Sequence, residues 1–484
     1  MSHAAHVEES PLSVLRNRRF LALWIAQLVT QVGSNMVLYG LTVEVFRLTG
    51  RSTSVSLLIL SFLVPSVIFG AVAGVYTDRN DRRLILVVTN ALRSVLFLVL
   101  LLVQSDLALI YLLTVVISTL TTFFGPAEAA IIPVIVPRNQ LLAANSLYLF
   151  TLQASFFLGF ALIGPLVVNV AGHSALLIIV AASYLIGAAL CLLLPPNNPR
   201  IGGPNPSEAL EEAGSAVATT FGELVDGVRY IFSNLKIFWP LTYLAVTSSL
   251  IGVLGVLGPG FATQVLGLSE RDIVVVVLPL GVGLVMGILV LNVYGRHFSR
   301  RRGIEGGLIA LGVTLIALSL AQLFTRLAIG PQVSLLSVVI VVAFAAGVAY
   351  AFVAVPAQTQ LQEELPENVR GRVFGVLNML VSIASFLPII AVGPIADAVG
   401  TSAVVQGAAV VTLLVAAGSI LKAHPSDVPV STATLVDAVD PVSVSGRSLT
   451  TPTTLRYVDG EDDGDDGIEF TGATPVIPGK PGPA

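Results

Sequence analysis

Long apolar runs alternate with short charged or Gly/Pro-rich breaks along most of the chain. A run of about twenty apolar residues is long enough to cross a bilayer as a helix. Twelve such runs fall near 20–46, 53–76, 84–104, 107–136, 141–170, 174–195, 237–267, 272–294, 304–325, 332–357, 372–396 and 402–422. Several exceed the minimum, which implies tilt or protrusion. The pattern predicts an all-α membrane protein with twelve transmembrane helices. Two stretches break it: 196–236, polar at first with an amphipathic surface helix near 221–232, and the Ser/Thr/Pro/Gly-rich end from 424 onward.

Basic residues fall unevenly on the loops. One set of loops carries Arg16, Arg18, Arg19, Arg79, Arg82, Arg83, Arg138, Arg200, Arg229, Lys236, Arg296, Arg300, Arg301, Arg302, Arg370, Arg372 and Lys422. The alternate set carries only Arg47, Arg51, Arg271 and Arg326. The positive-inside rule therefore predicts both termini in the cytoplasm, and an even number of spans agrees. The polar, acidic start has no cleavage site before the first span, so the first helix itself is expected to be the insertion signal.

Composition removes most other classes. Charged residues are 11% of the chain and mean hydropathy is +0.89, against roughly 25% charge in soluble domains. The net charge of −4 conceals an acidic tail, whose run DGEDDGDDG cannot bury enough apolar surface to fold alone. That tail reads as a disordered segment or as a regulatory one. The single cysteine, Cys191, reads as a small buried residue, since one thiol makes neither a disulfide nor a metal site. The one Gly-Lys pair, Gly479-Lys480, is followed by Pro481, so no phosphate-cradling loop exists. No metal cluster or nucleophilic triad is apparent. The chain reads as a non-enzyme without a cofactor, driven by an ion gradient or by downhill movement of its substrate.

The charged break GVYTDRNDRR, Gly74 to Arg83, carries a spacing, Gly-x-x-x-Asp-Arg-x-x-Arg-Arg, that resembles the loop between helices 2 and 3 of the major facilitator superfamily of secondary transporters. Many members place a second Gly where this chain has Asp81. The chain also repeats itself. Pro126-Ala127 is echoed by Pro356-Ala357, Pro137-x-Asn139 by Pro366-x-Asn368, and Gly164-Pro165 by Gly393-Pro394. Two parallel six-helix pseudo-repeats are the architecture of that superfamily. The expected organisation is a first half at 1–195, a cytoplasmic linker at 196–236, a second half at 237–423 and a disordered acidic cytoplasmic tail at 424–484.

The resemblance implies a conformational latch. Asp78, with Gly74, Arg79, Arg82 and Arg83, would meet the start of helix 11 at Gly371-Arg372. A carboxylate at a helix N-terminus is worth about 0.3–2 kcal/mol. The other reading is topogenic, with the arginines holding orientation only. Gly159, Gly164 and Pro165 partly match the family's antiporter motif in helix 5, but Gly393-Pro394 in helix 11 makes ordinary helix packing an equal reading.

Helix 1 carries Gln27, Gln31, Asn35 and Tyr39 at i, i+4 spacing, one polar stripe. Thr114, Ser118 and Thr121 on helix 4 and Asn378, Ser382 and Ser385 on helix 11 are further polar positions within spans. They line a substrate path or bond neighbouring helices. Ionisable groups inside the spans are few: Arg93, Glu128 and Glu44. An acid in a low-dielectric cavity takes up a proton more readily than one in water, which suits a proton carrier. Arg93 and Glu128 have a structural reading too, as partners of one another.

The runs FFGPAEAAIIPVIVP, LLAANSL and PAQTQLQEELPENVRGRVFG look like the drug:proton antiporter branch that includes macrolide exporters and the enterobactin exporter. The resemblance implies export of a hydrophobic or amphiphilic small molecule against inward proton flow, by alternating access, in the cytoplasmic membrane. Lipid or lysophospholipid transport on the same fold is the alternative. A membrane sensor acting through the acidic tail is the reading from another class. The expected partners are a small-molecule substrate and the lipid bilayer, with no nucleic acid and a monomeric protein.

Overall fold

The structure, a computed structural model, describes residues 11–196, 235–269, 273–294, 299–320, 335–364 and 388–421. No strand occurs among them. The first half contains α1 (Arg18–Thr49), α2 (Ser52–Arg79), α3 (Arg82–Leu102), α4 (Leu107–Ile135), α5 (Leu141–Phe156) and α6 (Gly164–Cys191), with a π-helical segment, Phe157–Ile163, joining the last two. The second contains α7 (Leu235–Gly260), running into a π-helical Phe261–Val265, then α8 (Val274–Tyr294), α9 (Arg300–Ser319), α10 (Leu335–Glu364), α11 (Pro388–Val399) and α12 (Thr401–Leu421).

Ten described stretches are long and apolar enough to cross a membrane. One of them, Ala143–Cys191, runs for 49 residues. At 1.5 Å per residue that far exceeds a hydrocarbon core of about 30 Å. Gly172 divides it, with φ 82° and ψ 176° inside α6. A side chain at such a φ would be strained, so glycine supplies the turn between the fifth and sixth passes. The Pro388–Val399 helix is the described part of the eleventh span. Gly371, Arg372, Asn378 and Ser382, together with most of the 196–236 linker and the tail, lie outside the described residues.

Helix starts follow from local chemistry. Asn17 Oδ1 accepts from the amides of Arg19 and Phe20 at the start of α1. Asp106 does the same for Ala108 and Leu109 at α4. Asp81 caps α3 through Arg83 N at 2.9 Å. Each satisfies amides that a helix cannot satisfy internally. Gly50, at φ 63°, ends α1. The end holding Asn17 and Asp81 is the near end here; that holding Gly50 and Asp106 is the far end.

Within the first half α1 packs on α6, α2 on α4, and α3 on both α4 and α6. In the second half α10 packs on α8 and α9, and α9 on α12. The core cluster around Tyr39, Phe97 and Tyr184 continues into Ala262, Ile273 and Val277 of the second half. Apolar side chains also stand outward in number, among them Leu102 at 81% and Leu421 at 84% exposure. A soluble surface would not carry so many; a hydrocarbon surround accepts them.

Candidate transport site

The first half encloses a cavity of about 60 Å³ between α1, α3, α4, α5 and α6. Thr30, Gln31 and Ser34 approach it from α1, Arg93 from α3, and Thr121 and Glu128 from α4. It is small beside the roughly 300–1,000 Å³ that drug-sized ligands occupy. Its chemistry lies in two ionisable groups, Arg93 and Glu128, which are 2% and 1% exposed.

Arg93 is held by neutral partners. Its Nε donates to Thr89 O at 3.2 Å, Nη2 to Asn90 Oδ1 at 2.7 Å and Nη1 to Thr121 Oγ1 at 3.3 Å. Its guanidinium carbon lies 4.5 Å from the Phe124 ring centre and 4.6 Å from that of Tyr184. Cation–π attraction of this kind is stronger away from water. Glu128 is held more loosely: Tyr148 Oη donates to its Oε2 at 3.3 Å, and its Oε1 is buried without a hydrogen-bond partner. No ion pair joins Arg93 to Glu128. Both groups therefore border one cavity, and the Glu128 carboxyl keeps one oxygen open to it. An unsatisfied buried acceptor is costly, so a site that tolerates one offers a place for a proton or another donor.

The polar stripe of α1 divides. Gln31 lines the cavity, and Asn35 Nδ2 donates back to Gln31 O at 2.8 Å. Gln27 is buried and its Nε2 donates to Tyr148 O at 3.3 Å, which ties α1 to α5 beside Glu128. Tyr39 is buried edge-on against Phe160, 5.7 Å between ring centres. On α4, Thr114 bonds its own helix at Ile110 O, while the Ser118 hydroxyl donates to Phe62 O of α2. Thr121 serves Arg93.

At the near end Asp78 is 73% exposed in its side chain, with Arg82 Nη2 3.8 Å from its Oδ1. Arg82 Nη1 also donates to Ala130 O of α4 at 3.0 Å, and Arg83 Nη2 to Leu192 O after α6 at 2.5 Å. Cations at late helical carbonyls suit the negative end of the helix dipole. These arginines bind the first half together. Gly371 and Arg372, the expected partners of Asp78, lie outside the described residues. The near-end Gly74 has open space around it.

At the far end the two halves touch. Asp397 of α11 accepts from Ser52 N at 2.8 Å, Thr53 N at 2.9 Å and Thr53 Oγ1 at 2.6 Å. The residue before α2, Arg51, gives no side-chain cap, so Asp397 caps α2 from the other half. Ser56 Oγ donates to Ile389 O at 2.8 Å. A Cβ on Gly393 would lie 2.7 Å from Ser52 O and also strike Ser56 Oγ, so only glycine permits this approach; Pro394 follows it in α11. After α5, a Cβ at Gly159 of the π-helical segment would meet Val32 O and lie 2.7 Å from Asn35 Cβ, and one at Gly164, the first residue of α6, would lie 3.3 Å from Tyr39 Cβ. Both glycines, with Pro165, sit where α1 crosses the π-helical segment.

Sequence reasoning missed Tyr148 and Asp397. Tyr148 had no visible signal. Asp397 had one: α2 begins without a capping residue, and its amides needed an acceptor from elsewhere.

A bundle of membrane-length helices in two halves, with a buried charged cavity and polar caps between the halves, is the build of a secondary transporter. The chain matches the Major Facilitator Superfamily over residues 23–389 and belongs to that family. It is 21% identical to macrolide efflux protein A of Streptococcus pyogenes, covering 79% of this chain and 91% of that protein. It is 24% identical to the multidrug efflux pump Tap of Mycolicibacterium fortuitum, covering 79% and 90%. An MFS-type transporter of Bacillus subtilis (strain 168), YfiS, is 25% identical over 81% of this chain and 90% of its own length. The crystal structure of the nucleoside transporter NupG shares the fold, with a TM-score of 0.61, 13% identity and coverage of 83% and 98%. The POT family transporter PepTSo gives 0.58, 12%, 84% and 99%. The protein is a multi-pass membrane transporter and not an enzyme.

Proposed function

We propose that this transporter exports a hydrophobic or amphiphilic small molecule by proton antiport, with Glu128 carrying the proton. The observation that carries the reading is the unpartnered Glu128 Oε1 beside a cavity that also holds the guanidinium of Arg93. A carboxyl there can take a proton without breaking an ion pair. The names of the macrolide and multidrug efflux relatives support export. No cofactor is needed; the proton gradient supplies the driving force.

The near end faces the cytoplasm in this reading, as the seventeen-to-four bias of loop arginines and lysines supports. The cytoplasmic membrane then holds the protein with both termini inside. Asp397 at the far end and the Asp78 loop at the near end act as catches for the two states of alternating access.

The test is proton flux in proteoliposomes loaded with a macrolide, a lipophilic cation or a catechol siderophore under an imposed pH gradient. Substrate-evoked proton movement in the wild type, lost in Glu128→Gln, is the expected result. Movement that needs no gradient and ignores Glu128→Gln would sink antiport and favour facilitated or lipid transport.

A further inference from the structure

A second cluster of ionisable groups lies at the far end, on the first half alone. Glu44 of α1 is 4% exposed. Arg47, one turn on, holds both its oxygens: Nε donates to Oε2 at 3.0 Å and Nη2 to Oε1 at 2.5 Å. His173 reaches the same place from the turn between the fifth and sixth passes, directly after Gly172. Its side chain is 10% exposed.

The ring has one orientation that satisfies its neighbours. His173 Nε2 lies 2.5 Å from Gly40 O. A carbonyl oxygen only accepts, so Nε2 carries a hydrogen. The other nitrogen, Nδ1, then faces Glu44 Oε2 at 3.6 Å. A bare Nδ1 would set its lone pair against a carboxylate, whereas an N–H there would pair with it. Gly40 makes room for this: a Cβ would press on Leu176 at 3.2 Å and reach Nε2 at 3.8 Å. The charged group facing His173 is Glu44 of α1, which Arg47 of the same helix holds in turn. From the turn after α3 comes only neutral Gln104, whose Nε2 donates to Ser174 Oγ at 3.2 Å.

We propose that His173 and Glu44 form a second proton-binding site, with the proton on His173 Nδ1 facing the Glu44 carboxylate, through which transport responds to pH on the far side of the membrane. The inference rests on the transport reading above but not on Glu128 as the carrier. Imidazole is the side chain that ordinarily changes charge between about pH 5 and 8. The step balances simply: a hydronium ion of the far-side water gives up one proton, its O–H bond breaking as the N–H bond forms at Nδ1, and a water molecule is left behind. Protonated, the ring bridges α1 and the turn after the fifth pass. Deprotonated, the ring keeps its Nε2–H bond to Gly40 O but sets a lone pair against Glu44, so the turn is held to α1 less tightly.

Two measurements decide it. The first is nitrogen-15 NMR of the full chain labelled at its five histidines, with His173→Gln assigning the resonance. The expected spectrum keeps hydrogen on Nε2 throughout and adds one to Nδ1 as pH falls, with Glu44→Gln requiring lower pH for that step. Hydrogen on Nδ1 with a bare Nε2, or a ring unchanged from about pH 5 to 8, overturns the proposal. The second is ethidium transport in proteoliposomes, varying far-side pH at fixed near-side pH. His173→Gln is expected to transport with its far-side pH dependence lost. An unaltered dependence overturns the proposal whatever Glu128→Gln does. Conversely, proton flux that survives Glu128→Gln while His173 titrates as described removes only the carrier assignment.

Discussion

Asp397 Oδ2 accepts from both the backbone amide and the hydroxyl of Thr53, at 2.9 and 2.6 Å. The carboxylate belongs to α11 and the amide to α2, so a helix of one half is capped by the other. A cap is worth about 0.5–2 kcal/mol. That much is enough to bias a rocking equilibrium severalfold, because about 1.4 kcal/mol is a factor of ten. Asp397→Ala should therefore part the halves at the far end, while Asp397→Asn, still an acceptor, should part them less. Electron–electron distances between spin labels at residues 49 and 403, with Cys191 replaced by Ala, would report it. An unchanged distance distribution in Asp397→Ala would remove the cap from the switching machinery.

Gly393 offers the complementary experiment. Adding one carbon there should block the same contact by collision with Ser52 O, without removing any acceptor. Gly393→Ala is expected to widen the same spin-label distance even with Asp397 intact. If it leaves the distance alone, the close approach of α2 and α11 is not what sets the far-end geometry.

Arg93 should resist conservative replacement. Its planar group lies between Phe124 and Tyr184 and bonds three neutral oxygens. Lysine cannot reproduce a flat, multiply bonded cation. Arg93→Lys should lower stability by roughly 1–3 kcal/mol, read as a fall in thermal midpoint in detergent. A midpoint equal to wild type would mean that the sandwich contributes little.

Gly159 and Gly70 make a matched pair. A Cβ at Gly159 collides with Val32 O, whereas one at Gly70 meets nothing within 4 Å. Overpacking of this sort costs about 1–3 kcal/mol. Gly159→Ala should lower the thermal midpoint and slow transport, and Gly70→Ala should do neither. Equal behaviour of the two variants would contradict the close crossing of α1 and the π-helical segment.

The helices were legible because hydropathy over twenty residues is a strong signal, and Gly172 confirms where the long fifth and sixth runs divide. The family was legible in the Gly74–Arg83 spacing. Asp81, a departure from the family's glycine, is an N-cap, a role its position before α3 already allowed. The transport site was only half legible. Glu128 and Arg93 stood out as charges in apolar runs, but Tyr148 and Asp397 did not. Asp397 meets residues 344 and 345 positions away, a pairing that no local pattern encodes. The α1 stripe left two readings open, and packing divides it between them: Gln31 borders the cavity, while Gln27 bonds α5 and Tyr39 is buried against Phe160.

The π-helical segment at Phe157–Ile163 has a mechanical consequence. A π turn holds more residues than an α turn at the same hydrogen-bonded spiral, so the chain stores slack there. Relaxing one such residue to α geometry rotates everything on one side by about 100° relative to the other. Phe157 opens this segment and its ring covers Gly281 of α8. Taking up the slack would swing that ring off Gly281 as the helix turns about its own axis. The two halves would then be geared to each other by rotation as well as hinged, and a single-residue deletion within 157–163 would fix the gear in one position.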